Sequence, residues 1–138
     1  MVSHIKKLVC IYTHKSDVEN CNTLIDYLNK NLDLVESNIS IIKVLAGHER
    51  DEFVGDTLFL KCEESYASLS VKTYNMIRMC SLHKAFDFLI KVDSSIVGYG
   101  DKKNVGYSKR VRSFFYNLER IKFLLENDFK FREYRDYG

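Results

Sequence analysis

A chain of 138 residues with a net charge of +2 fits one domain long enough to bury a core. Its 46% hydrophobic and 13% aromatic content excludes a disordered segment, and the small net charge argues against a general nucleic-acid binder. No apolar run approaches the ~20 residues of a membrane span, and the apolar part of MVSHIKKLVCIY is too short for a secretory signal.

Lys7 to Tyr12 is apolar and β-branched, which predicts a first strand. Ser16-Asp17-Val18-Glu19 has the form of a capping box, so a helix is expected to start there, with Leu24, Ile25, Leu28 and Leu32 recurring at helical spacing. Asn38 to Val44 reads as a second strand. Ala46 to Gly55, with two glycines and several charges, reads as a loop, and Thr57 to Leu60 as a short third strand. Leu69 to Leu82 predicts a second helix with Leu69, Thr73, Met76, Ile77 and Cys80 on one side. Phe86 to Val92 is a fourth strand that stops on Asp93-Ser94-Ser95. A polar loop from Gly98 to Gly106 leads to an amphipathic helix bearing Val111, Phe114, Phe115, Leu118, Ile121, Leu124 and Leu125. Such alternation predicts an α/β fold, a mostly parallel sheet with flanking helices. With no repeat or linker to divide it, the chain reads as one domain.

Cys10, Cys21, Cys62 and Cys80 show no C-x-x-C spacing and read as reduced, buried thiols, hence a reducing compartment such as the cytoplasm. His4, His14, His48 and His83 lack metal-ligand spacing, and no phosphate-binding glycine loop or nucleophile elbow occurs. Lys109, Arg110 and Arg112, beside Phe114, Phe115 and Tyr116, read as the solvated edge of a helix that buries its aromatics.

Two blocks carry a sharper signal. One is Glu64-Ser65-Tyr66 followed by Leu69-Ser70-Val71-Lys72-Thr73. The other, about twenty residues on, is Lys91-Val92-Asp93-Ser94-Ser95-Ile96. Together, with Phe53, Asp56 and Leu58 upstream, they resemble the galactosyltransferase-like β-1,3-glycosyltransferases that include the Fringe enzymes. That family has an acidic-Ser-Tyr segment, then Leu-Thr-Leu-Lys-Thr, then an apolar strand ending Lys-x-Asp-Asp-Asp-Val. The resemblance covers roughly residues 50–97. The family's arginine-rich start of the first helix is replaced here by His14-Lys15-Ser16-Asp17, and its acidic triplet by Asp93-Ser94-Ser95.

The resemblance implies a Rossmann-like GT-A half that binds a nucleotide-sugar, UDP-sugar by preference, and inverting transfer to an acceptor glycan or protein. It places Lys72, Asp93 and Ser95 near the donor diphosphate, and a divalent metal, Mn²⁺ or Mg²⁺, between them. The family's metal ligand is the last acid of the triplet. Here Ser95 holds that place, and a hydroxyl is a poorer ligand for a hard cation, so a metal rests on Asp93 alone. Tyr12 and Thr13, at the end of the first strand, are expected to meet the nucleotide base, Tyr12 by stacking. Each residue also has a plainer reading: Asp93-Ser94-Ser95 as a turn, Lys72 as a solvated helix lysine, Glu64 as a helix cap, Tyr12 and Thr13 as ordinary strand-end residues. A general base for the acceptor is not assigned; Asp101, Asp128 and Asp136 qualify by type only. The short stretch after Ser95 leaves three forms open: the first domain of a larger enzyme, a minimal transferase, or a donor half without activity. A second function is a non-catalytic interaction module that forms oligomers through Phe114, Phe115 and Leu118.

Overall fold

The computed structural model describes residues 3–94 and Leu125. Five strands form one sheet in the order β3-β4-β2-β1-β5: β1 (Lys7–Tyr12), β2 (Ile39–Leu45), β3 (Glu52–Val54), β4 (Thr57–Phe59) and β5 (Phe88–Asp93). β1, β2, β4 and β5 run parallel, and only β3 pairs antiparallel, with β4. Helix α1 (Val18–Asn31) connects β1 to β2, and α2 (Leu69–His83) connects β4 to β5. The expectation of a mostly parallel α/β sheet therefore holds, with two flanking helices and a mixed edge.

Every residue of β1 is buried, as a central strand covered on both faces must be. Side chains alternate across a strand, so its odd and even positions serve different layers. Val9 and Ile11 join Cys21, Leu24 and Leu28 of α1, together with Val92 and the helical Leu125. Leu8, Cys10 and Tyr12 join Met76, Met79 and Cys80 of α2, with Val44, Leu58 and Leu60. The two helices thus cover opposite faces. Leaving β1, the chain builds outward through β2 on one side and later returns through α2 to place β5 on the other. The β1–β5 junction is where the direction of strand addition reverses, and such a junction opens a crevice at the carboxyl ends of the strands.

Three local expectations need correction. The capping box does not form. A 3₁₀ turn, Lys15–Asp17, precedes α1, Asp17 occupies the N-cap without a side-chain cap bond, and Ser16 Oγ pairs with His14 Nδ1 at 2.7 Å. The segment from Ala46 to Gly55 is not all loop, because Glu52–Val54 is β3. It turns back into β4 through Gly55-Asp56, with Gly55 at φ +58°, a conformation that glycine adopts without strain. The buried side of α2 is Lys72, Met76, Met79 and Cys80, whereas Ile77 and Leu69 are exposed. Among the described residues no helix is long and apolar enough to cross a membrane. The final helix's Phe114, Phe115 and Leu118, Ser95, the basic cluster, and Asp101, Asp128 and Asp136 lie outside the described residues.

Candidate functional site

A cleft of ≈ 720 Å³ opens at the carboxyl ends of the parallel strands. Its walls come from the end of β1 and the turn into α1 (Tyr12 to Asp17), the segment after β2 (Ala46 and Gly47), the entry to α2 (Glu64, Ser65, Tyr66, Leu69 and Lys72) and the end of β5 (Asp93 and Ser94). Of the residues singled out in the sequence, Tyr12, Thr13, Lys72 and Asp93 meet here, from segments far apart in the chain.

Lys72 is 3% exposed, which overturns its reading as a solvated helix lysine. Its ammonium donates to Glu64 Oε1 at 2.6 Å and to the Thr13 carbonyl at 3.2 Å, and lies 4.7 Å from the Tyr12 ring centroid. A buried ammonium is tolerated only when paired and hydrogen-bonded, and Glu64 supplies the counter-charge. The other Glu64 oxygen accepts the Ala46 backbone N–H at 2.8 Å. Glu64 therefore caps no helix. It clamps α2, the end of β1 and the segment after β2 into one frame around the cleft.

Tyr12 is 4% exposed, its hydroxyl donates to Thr73 Oγ1 at 2.7 Å, and Lys91 Nζ lies 4.3 Å from its ring centroid, in addition to Lys72. A ring so enclosed is a wall of the cleft and not a platform for a base, which corrects the stacking role expected for it. Burial pushes its phenol up to about 12, against a smaller opposing effect of the Thr73 hydrogen bond. Thr13 is buried, with its backbone N–H on the Val44 carbonyl at 3.1 Å, so it extends the β1–β2 pairing.

Asp93 is exposed, and its Oδ1 accepts from Lys91 Nζ at 2.9 Å. Ser94 turns inward, buried, and its hydroxyl donates to Asp17 Oδ2, while Asp17 Oδ1 accepts from Asn20 at 2.6 Å. The end of β5 is thereby tied to the start of α1. The sequence reading missed this contact because Asp17 had been placed inside a capping box. A hard divalent cation wants six or more oxygen ligands. Among the described residues no group of three His, Cys, Asp or Glu side chains could hold a metal ion. The one carboxylate at the strand end, Asp93, already accepts from an ammonium.

Cys10, Cys21 and Cys80 are buried and Cys62 half-buried, all free. The Cys10 thiol is driven up, first by its hydrogen bond to Cys80 and then by burial, while accepting that bond lowers Cys80. Cys10 packs as a protonated core residue and not as a nucleophile.

Compared with protein-family models, with curated proteins and with solved structures, the chain matches none.

Proposed function

We propose that the cleft binds the nucleoside diphosphate of a nucleotide-sugar, as the donor half of a GT-A-like glycosyltransferase domain. The observation that carries this reading is the meeting of three sequence-distant segments, Tyr12–Thr13, Glu64–Lys72 and Asp93–Ser94, in one cleft at the strand-order reversal. Open α/β sheets bind ligands at such junctions. Two of those segments, Glu64–Lys72 and Asp93–Ser94, are also ones on which the sequence resembles the galactosyltransferase-like family. A UDP-sugar is the donor that this resemblance favours.

The diphosphate needs positive charge. Lys15 lines the cleft, exposed, and Lys72 lies at its inner wall, partly offset by Glu64. Lys15 is the exposed cation that can meet the diphosphate directly, and Lys72, held by Glu64 in the wall, adds its field from behind. Ser95 and any acceptor-side base lie outside the described residues, so the roles assigned to them rest on the resemblance.

A second, narrower reading is binding without transfer. The carboxylates that line the cleft are all engaged: Asp17 by Ser94 and Asn20, Glu64 by Lys72, and Asp93 by Lys91. A general base must be able to take a proton from the acceptor; Asp17 and Glu64 have both oxygens bonded, and Asp93 has one on Lys91.

Calorimetric titration with UDP and with UDP-sugars, with and without Mn²⁺, tests both readings. Metal-independent binding that weakens in Lys15→Ala is the expected result. No binding under either condition would sink the proposal. Binding that ignores both Lys15→Ala and Asp93→Ala would move the site elsewhere. Release of UDP from a bound UDP-sugar in the presence of acceptor sugars would select transfer over binding alone.

A further inference from the structure

Two neighbouring residues at the entry to α2 are not explained by the frame around Lys72. Ser65 Oγ is buried and has no hydrogen-bond partner, the one buried side-chain polar atom left so among the described residues. Tyr66 follows it and is 91% exposed. Both line the cleft, and Leu69, also in its wall, continues the apolar surface one turn further along.

The orphan hydroxyl stands out against its surroundings. The Tyr12 hydroxyl is bonded to Thr73, Ser16 to His14, Ser94 to Asp17 and Lys72 to Glu64. Ser65 sits at the N-cap of the 3₁₀ turn Tyr66–Ser68 but makes no side-chain cap bond there. Buried polar groups without partners are rare because they forfeit their bonds to water, and a half-buried serine in a cleft wall can turn such a hydroxyl to a ligand that supplies the missing group. The exposed ring beside it presents what Tyr12 lacks, an open aromatic face. Gly47, another wall residue, has no heavy atom within 4 Å of where its side chain would begin, so its part of the wall is open.

We infer that Ser65 and Tyr66 form a subsite for a planar heterocycle, with the ring stacked on Tyr66 and a polar ring edge or ribose hydroxyl bonded to Ser65 Oγ. The inference rests on the nucleotide reading above and deepens it: the base lies at the α2 entry, and the diphosphate runs from there toward Lys72 and Lys15. Stacking on a tyrosine tolerates any base, so this subsite supplies affinity more than choice of base.

The test uses uridine, UDP and inorganic pyrophosphate as probes in calorimetry, with the wild-type chain and Tyr66→Ala, Tyr66→Phe and Ser65→Ala. An exposed tyrosine and an uncapped serine are both replaceable without unfolding the chain, and circular dichroism melts verify this. Tyr66→Ala is expected to weaken uridine and UDP by the same factor, about tenfold, and to leave pyrophosphate unchanged. Tyr66→Phe should keep wild-type affinity. Ser65→Ala should weaken both nucleoside probes about fivefold with no loss of melting temperature. UDP binding that is indifferent to Tyr66→Ala would overturn the inference while sparing the nucleotide reading. So would wild-type protein that binds pyrophosphate but not uridine. Wild-type protein that binds none of the three removes the reading and the inference together.

Discussion

The two faces of the sheet are built differently. On the α1 side, Val9, Ile11 and Val92 meet Cys21, Leu24 and Leu28 in an apolar layer, and the buried ammonium of that face, Lys7, donates to the Ser37 carbonyl at the end of β1 away from the cleft. On the α2 side, Leu8, Cys10 and Tyr12 meet Met76, Met79 and Cys80, and the layer ends at a buried ammonium, Lys72, held by Glu64 at the cleft. The same central strand feeds both. Its odd residues contribute to cohesion and its even residues lead toward the recognition site, so the two properties should respond to different substitutions.

The largest expected effect lies on the α1 side. Leu28 is fully buried, and Leu28→Ala should cost about 2–5 kcal/mol in urea unfolding through lost burial and the cavity left behind. The folded fraction should bind UDP as the wild type does. A changed affinity would mean that the two faces are coupled.

The ion pair gives a sharper comparison, because its partners are unequally buried. Lys72 is 3% exposed and the Glu64 side chain 29%. Glu64→Gln strands the deeper charge and should cost about 2–4 kcal/mol of stability. Lys72→Met leaves a carboxylate that can still reach water and accept the Ala46 N–H, and should cost less, about 1–2 kcal/mol. It should also weaken UDP binding about tenfold if the ammonium serves the diphosphate. The reverse order of stability in denaturant melts would refute the burial argument.

The smallest effect needs alkaline pH to become visible. Burial raises Tyr12 from 10.0 to about 12, so the neutral phenol is favoured in the fold. Its contribution is complete below about pH 10 and is lost as pH rises to about 12. Tyr12→Phe should flatten that part of the stability–pH curve, and the phenolate absorbance gained near pH 12 should be smaller in the variant. Equal slopes in the two proteins would rule this out.

The elements with clear periodicity were legible in the sequence. β1 lies at Lys7–Tyr12 as its β-branched apolar run predicts, and α2 ends one residue beyond its expected limit. What was hard to read has physical causes. α2 carries apolar side chains all round, with Val71, Tyr74, Ile77 and Leu82 exposed opposite Met76 and Met79, so spacing could not tell its inner side from its outer one. β3 is only three residues long, yet Gly55-Asp56 between Val54 and Thr57 is a two-residue hairpin signal that would have revealed it. The capping box failed because a 3₁₀ turn took up Ser16 before α1 began. The family resemblance points to Lys72 and Asp93, and the end of the first strand to Tyr12 and Thr13, but the pairing of Lys72 with Glu64 needed three dimensions. So did the enclosure of Tyr12 and the solitary Ser65 hydroxyl.

The antiparallel edge has a consequence for how the protein behaves at high concentration. An unpaired strand edge is a template on which a second chain can add. Among the described residues β3 is the edge strand on that side and offers only three residues, Glu52–Val54, one of them acidic, directly after Glu49, Arg50 and Asp51. Asp51 is fastened by Arg78 at 2.6 Å and by the Lys61 N–H at 2.7 Å. A template that short, charged and tethered resists aggregation by strand addition on that side of the sheet.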